Sequence, residues 1–344
     1  PNPKPQTPNP KPQTPGEGIL IIIIFMEVKA NNKIPLIGIL MQTAGAGVGQ
    51  IVNPHECYTF VAGSYVDWIS QTGAIPVLIP FDLPKPRLAA ILPLLQGFLI
   101  PGGCSDLGET TGHPTPIMLT IMSVLDYSKQ MFEEKGILWP VMGICMGFQA
   151  IMMAYSDLKI LKSGFDNRFK SHPVIIDEEK WKESKYFSKL DQSLLSQTLP
   201  SPNLYYWHTW AIDYPTLSLP EYTPIHNHLL ILAHSCTGDN HDERKYVAMC
   251  EHRIYPVMGT QFHPEKTQFE RLENNAFLDR SEESMKFVSE LARMFVSIAR
   301  KNPNMQDYKS YPDWLKPMFS FNMPIYNGHI NGNERIYALP KIYT

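Results

Sequence analysis

Val141-Met-Gly-Ile-Cys-Met-Gly-Phe-Gln149 sets Cys145 between a strand-like run and a helix-like run, with glycine at 143 and 147. A G-x-C-x-G turn of this kind is a nucleophile elbow, so sharp that flanking side chains would collide with it. It pushes the thiol out at the end of a sheet, and the amino end of the following helix favours the thiolate. The backbone N–H of Met146 then points at a developing oxyanion. His263-Pro-Glu265 follows a second strand-like run, Val257–Phe262. His263 is placed to take the thiol proton and return it to a leaving amine, and Glu265 to hold the imidazole in the required tautomer. Pro101-Gly102-Gly103 ends a third such run. Its glycines let the backbone turn N–H groups toward the nucleophile, with Gly103 the expected second oxyanion donor and Gly102 bordering the substrate. This set predicts acyl transfer through a thioester, with no metal or organic cofactor required. His226, His228, His234 and His241 form a loose group whose spacing fits no metal motif.

Groups of this kind need a rigid sheet behind them. Leu36–Met41, Ala74–Ile79, Gly97–Ile100 and Trp139–Ile144 are short apolar runs of the sort that form strands covered on both faces. Helices are expected over Cys57–Thr72, closed by Gly73, over Pro84–Leu95, over Pro116–Lys135, closed by Gly136, and over Gly147–Met153. The alternation predicts an α/β fold, a doubly wound, mostly parallel sheet with helices on both faces. The second half is richer in strands: Pro173–Ile176, Leu229–His234, Tyr246–Cys250 and Val257–Phe262. A last helix is expected over Glu282–Arg300, with Val288, Leu291, Ala292, Phe295, Ile298 and Ala299 as its apolar stripe. The catalytic domain is read as 34–302. Residues 303–344, rich in Tyr and Pro and with little periodicity, are expected to pack over it as an irregular extension.

The 344 residues are 44% apolar and 18% charged, enough for a sizeable core and too apolar for wholesale disorder. Thirty basic against 33 acidic side chains leave a net charge of −3, which disfavours nucleic acid as a partner. Five cysteines form no CxxC pair. Cys57, Cys104, Cys236 and Cys250 could pair as two disulfides in three ways, or not at all. Residues 1–33 read as a leader. PNPKPQT occurs twice in 1–14, a composition that favours polyproline II. Ile19–Met26 then has the length of the apolar region of a secretory signal peptide, with Lys4 and Lys11 before it, and is too short to cross a bilayer. No stable membrane insertion is expected.

Pro-Gly-Gly, then Gly-Ile-Cys-Met-Gly-Phe-Gln, then Phe-His-Pro-Glu-Lys, in that order, resembles the class I glutamine-amidotransferase superfamily. Within it, four stretches resemble the γ-glutamyl hydrolase family: Pro35–Leu40 with Tyr65-Val-Asp67, Asn203–Trp210, Tyr255–Lys266 and Pro324–Gly328. The resemblance spans about 34–344. It implies a flavodoxin-like sandwich with Cys145 as nucleophile, His263 as base and Glu265 as orienting acid. It implies His208 as a contact for the γ-glutamyl group, and an enzyme that removes γ-linked glutamates from folylpoly-γ-glutamates. A homodimer and a lysosomal, vacuolar or secreted location are further expectations of the resemblance. Gln149 departs from the pattern: γ-glutamyl hydrolases often carry Glu there, whereas amidotransferases carry a Gln that contacts bound glutamine. Phe262 replaces the Trp commonly found before His-Pro-Glu. The alternatives are a glutaminase subunit of an amidotransferase and an inactive relative serving as a binding or structural protein.

Overall fold

The structure, a computed structural model, describes residues 33–43, 57–190, 204–237, 244–271, 278–330 and 333–340. The PNPKPQT copies, the Ile19–Met26 run and His241 lie outside them. Among the described residues the principal sheet has eight strands: β1 (Leu36–Leu40), β4 (Ile75–Ile79), β5 (Gly97–Ile100), β6 (Val141–Ile144), β9 (Ile175–Ile176), β12 (Leu229–Cys236), β13 (Lys245–His252) and β14 (Val257–Thr260). Their spatial order is β4-β1-β5-β6-β14-β13-β12-β9. From β4 to β14 every pairing is parallel, and from β14 to β9 every pairing is antiparallel. Two short pairs flank it, β7 (Leu161–Ser163) with β11 (Trp210–Ile212) and β8 (Lys170–His172) with β10 (Leu204–Tyr206). A four-stranded sheet joins β2 (Gln42–Thr43), β3 (Cys57–Ala62), β15 (Ile325–Ile330) and β16 (Asn333–Pro340).

Apolar residues alternate between the two faces of the parallel strands. In β1, Ile37 and Ile39 join one buried cluster while Leu36 and Leu40 join the other. The helices are α1 (Gly63–Ser70), α2 (Lys85–Ile91), α3 (Pro116–Lys135), α4 (Met146–Ala154), α5 (Glu178–Glu183), α6 (Ile225–His228), α7 (Pro264–Phe269) and α8 (Glu282–Ala299). α8 and α1 cover the first face, and all six residues of the predicted α8 stripe are buried there. The Ser281 hydroxyl caps α8 by accepting from Ser284 N–H, worth about 1 kcal/mol. α3 covers the other face and stops at Gly136, whose φ of 64° suits glycine and satisfies the last carbonyls.

Two expectations are corrected. Cys57–Thr72 is not one helix: Cys57–Ala62 is β3, and α1 begins only at Gly63. The run Cys-Tyr-Thr-Phe-Val-Ala is β-prone, and its partner β16 comes from the far end of the chain. Nor is the C-terminal segment wholly irregular, because β15 and β16 form a hairpin that completes this sheet. Cys104, Cys145 and Cys250 carry free thiols.

β1 pairs with β4 on one side and β5 on the other, so the chain's winding reverses between β1 and β5. Such a switch point opens a crevice at the carboxyl ends of the strands. Gln42, Gly102-Gly103, Cys145 and His263 all follow strand ends along this stretch of the sheet.

Candidate active site

Cys145 sits between β6 and α4 with φ 52° and ψ −107°, a positive-φ conformation that a non-glycine residue adopts only when its surroundings dictate it. Its N–H is held by Thr260 O on the neighbouring strand at 2.8 Å. A Cβ on Gly147 would stand 2.1 Å from Ile100 O, and one on Gly143 would stand 2.5 Å from Gly147 O. Both obstacles are backbone, which explains the two glycines. The thiol lines a cavity of about 520 Å³ with its Sγ 3.8 Å from Trp207 O.

His263 follows β14, pinned by its N–H to Tyr205 O at 2.8 Å. Its Nδ1 is 2.8 Å from Glu265 Oε1, and both side chains are buried. Burial works to lower the imidazole pKa. The Glu265 carboxylate and Cys145, through charge and hydrogen bonding, overcome it and raise the pKa to about 9. The imidazole is therefore held as a cation against Cys145 across the neutral range. The structure thus brings Cys145, His263 and Glu265 together.

The oxyanion donors are set by groups beyond those three. Gly102 O accepts from Gln42 Nε2, and Gly102 N–H donates to Tyr65 Oη at 2.8 Å. The peptide joining Gly102 to Gly103 is trans, so its C=O and N–H point opposite ways. Holding the carbonyl on Gln42 turns the Gly103 N–H the other way. The Met146 N–H belongs to the first turn of α4 and has no acceptor within its own helix. Gly102 lines the cavity with both of its own backbone groups engaged.

His208, after β10, also lines the cavity, its ring edge-on to Tyr206 and Tyr246 at 5.7 and 5.0 Å. Burial first, and the positive His263 second, push its pKa down to about 3, so it is a neutral imidazole. Gln149, one turn into α4, donates from Nε2 to Trp210 O at 2.6 Å and to Gln261 Oε1 at 3.1 Å. That leaves its Oε1 as the part available to a ligand.

Sequence reasoning did not assign roles to Gln42, Tyr65, Lys266 or Asn333. Lys266 is buried in the cavity wall, its Nζ 2.9 Å from Asn333 Oδ1, 3.7 Å from Glu270 Oε1 and 4.9 Å from the Trp207 ring centre. Its place directly after His-Pro-Glu was the available signal. Arg168, whose guanidinium donates from Nε and Nη2 to Asp166 at 2.9 Å each, also lines the wall, as does Glu109. The arrangement sets a thiol and an imidazole–carboxylate pair together at a cavity whose wall carries groups of both charge signs. Among the described residues no group of three His, Cys, Asp or Glu side chains could hold a metal ion, and no helix is long and apolar enough to cross a membrane.

The family described as glutamine amidotransferase class-I matches residues 57–279. The γ-glutamyl hydrolase of Homo sapiens is 26% identical over 305 residues, 89% of this chain and 89% of that protein. γ-Glutamyl hydrolase 1 of Arabidopsis thaliana is 23% identical over 311 residues, 90% of this chain and 84% of that protein. Among solved structures, the glutaminase domain of Trypanosoma brucei CTPS with bound acivicin is similar at a TM-score of 0.48 and 12% identity, over 80% of this chain and 98% of that one.

Proposed function

This chain belongs to the class-I glutamine amidotransferase family, and from that premise we propose that it is a cysteine-dependent γ-glutamyl hydrolase acting on folylpoly-γ-glutamates. The observation that carries the reading is Cys145 on a strained elbow, sharing one cavity with His263, itself paired to Glu265, and with a buried Lys266. The γ-glutamyl hydrolases similar to most of the chain support the substrate class. In the acylation half, the Cys145 thiolate attacks the γ-carbonyl and the N–H groups of Met146 and Gly103 hold the oxyanion. Imidazolium His263 then gives its proton to the departing amine as the C–N bond breaks, leaving a γ-glutamyl thioester. In the deacylation half, His263 takes a proton from water, hydroxide adds to the thioester carbonyl, and the thiolate leaves. Each oxyanion donor contributes on the order of 3 kcal/mol. Lys266 and Arg168 offer positive charge to the α-carboxylate of the glutamyl group. A homodimer, and a lysosomal, vacuolar or secreted location, complete the proposal; the Ile19–Met26 run supports the location.

Gln149 favours a second reading, the glutaminase subunit of an amidotransferase. Glutamate release from a pteroylpoly-γ-glutamate, with free glutamine in parallel and Cys145→Ala as control, separates the two. Cys145-dependent release from the polyglutamate supports hydrolysis of γ-glutamyl chains. Activity on glutamine alone supports the second reading, and a folded protein that turns over neither is a binding relative.

A further inference from the structure

Tyr65 lies on α1 and is buried. Its hydroxyl accepts the Gly102 N–H at 2.8 Å and lies 3.3 Å from His263 Nδ1. Burial, and then the charges of Glu265 and Cys145, keep the phenol protonated, so it can serve as donor and acceptor at once. The approach is close on all sides. A Cβ on Gly102 would stand 2.6 Å from the Tyr65 oxygen, 2.7 Å from His263 Cε1 and 3.1 Å from Cys145 Cβ.

The helix that carries the hydroxyl is itself anchored twice. Asp67, two residues on, forms an ion pair with Arg335 of β16, and Trp68 Nε1 donates to Val288 O of α8 at 3.0 Å. The hydroxyl is thus held by packing that is independent of the groups it contacts.

We propose that Tyr65 is a positioning residue that couples the oxyanion strand to the His263–Glu265 pair. One hydroxyl fixes the Gly102 peptide, and through it the aim of the Gly103 N–H. The same hydroxyl oxygen lies beside His263 Nδ1, the nitrogen paired with Glu265, and supports the imidazole in line with Cys145. This rests on Cys145 and His263 acting as nucleophile and base, and not on which γ-glutamyl compound is the substrate.

Tyr65→Phe keeps the ring and removes only the hydroxyl. Two measurements follow on the full chain. With a γ-glutamyl substrate, kcat falls about 10- to 100-fold while KM stays within about twofold, because alignment rather than binding is lost. With iodoacetamide and no substrate, the Cys145 peptide is followed by mass spectrometry, which separates it from exposed Cys104. The alkylation rate of Cys145 has a step where His263 loses its proton, and in Tyr65→Phe that step moves to lower pH, since the imidazolium loses the oxygen beside its Nδ1. An unchanged kcat, or a lower kcat with the alkylation step unmoved, overturns the coupling. The alkylation measurement remains valid if the substrate reading fails, so the two failures are distinguishable.

Discussion

Gly147→Ala tests whether the elbow and the oxyanion strand are one mechanical unit. The added Cβ would stand 2.1 Å from Ile100 O and 2.7 Å from Ile100 C. An ordinary carbon–oxygen contact is about 3.3 Å, so α4 and the end of β5 must part by about 1 Å. Neither can move freely. Cys145 N–H is tied to Thr260 O, and β5 is paired on both sides by β1 and β6. The overpacking costs about 2–3 kcal/mol of stability. The end of β5 leads straight into Gly102-Gly103, so the same displacement carries the Gly103 N–H away from the thiol. A misplacement of about 1 Å at reacting groups costs about 10²-fold in rate. Thermal melting and steady-state kinetics on a γ-glutamyl substrate read both effects, with kcat falling far more than KM rises. A variant that melts and turns over like the wild type would mean that the elbow and the end of β5 move independently.

Other perturbations have equally definite outcomes. Because His263 is raised to about 9, kcat/KM should hold through neutral pH and fall on a basic limb near pH 9. Glu265→Gln removes the largest influence raising that pKa; the limb should move to lower pH and kcat fall about 10²-fold or more, measured as a pH–rate profile. Buried Glu251 accepts from Ser184 Oγ at 2.5 Å, from Lys185 N–H at 2.6 Å and from the N–H of Tyr186 at 3.2 Å. Glu251→Ala strands those donors and should cost about 3 kcal/mol in urea melts, with little change in kcat. His252 has its pKa lowered to about 4 by burial first and then by His228. Its folded pKa lies below its unfolded one, so the unfolded state takes up the proton first and stability is lost as pH falls from about 6.5 toward 4. His252→Asn should flatten that acid decline in melting temperature.

The parts of the site legible in the sequence are those whose chemistry is local. Cys145 is announced by its own glycines, and His263 and Glu265 by a strand end and a two-residue spacing. The parallel half of the sheet is equally readable, because buried strands such as Gly97–Ile100 are continuous apolar runs between clear breakers. Gln42 and Tyr65 act only because β1, β5 and α1 converge on Gly102, and nothing local to Gln42 records that approach. The helix expected over Cys57–Thr72 fails for the same reason. Cys57–Ala62 becomes a strand through pairing with β16, and the edge it needs is supplied by residues 333–340. Asn333, in a segment read as irregular, reaches the cavity through that pairing and meets Lys266 there.

The most direct test of the central claim is to trap the acyl-enzyme. The protein is mixed with a pteroylpoly-γ-glutamate, quenched in acid within the first turnovers, digested and examined by mass spectrometry. A γ-glutamyl group is expected on the Cys145 peptide, labile to hydroxylamine as a thioester is, and absent from Cys145→Ala. Steady release of glutamate with Cys145 unmodified, or undiminished release by Cys145→Ala, would contradict it.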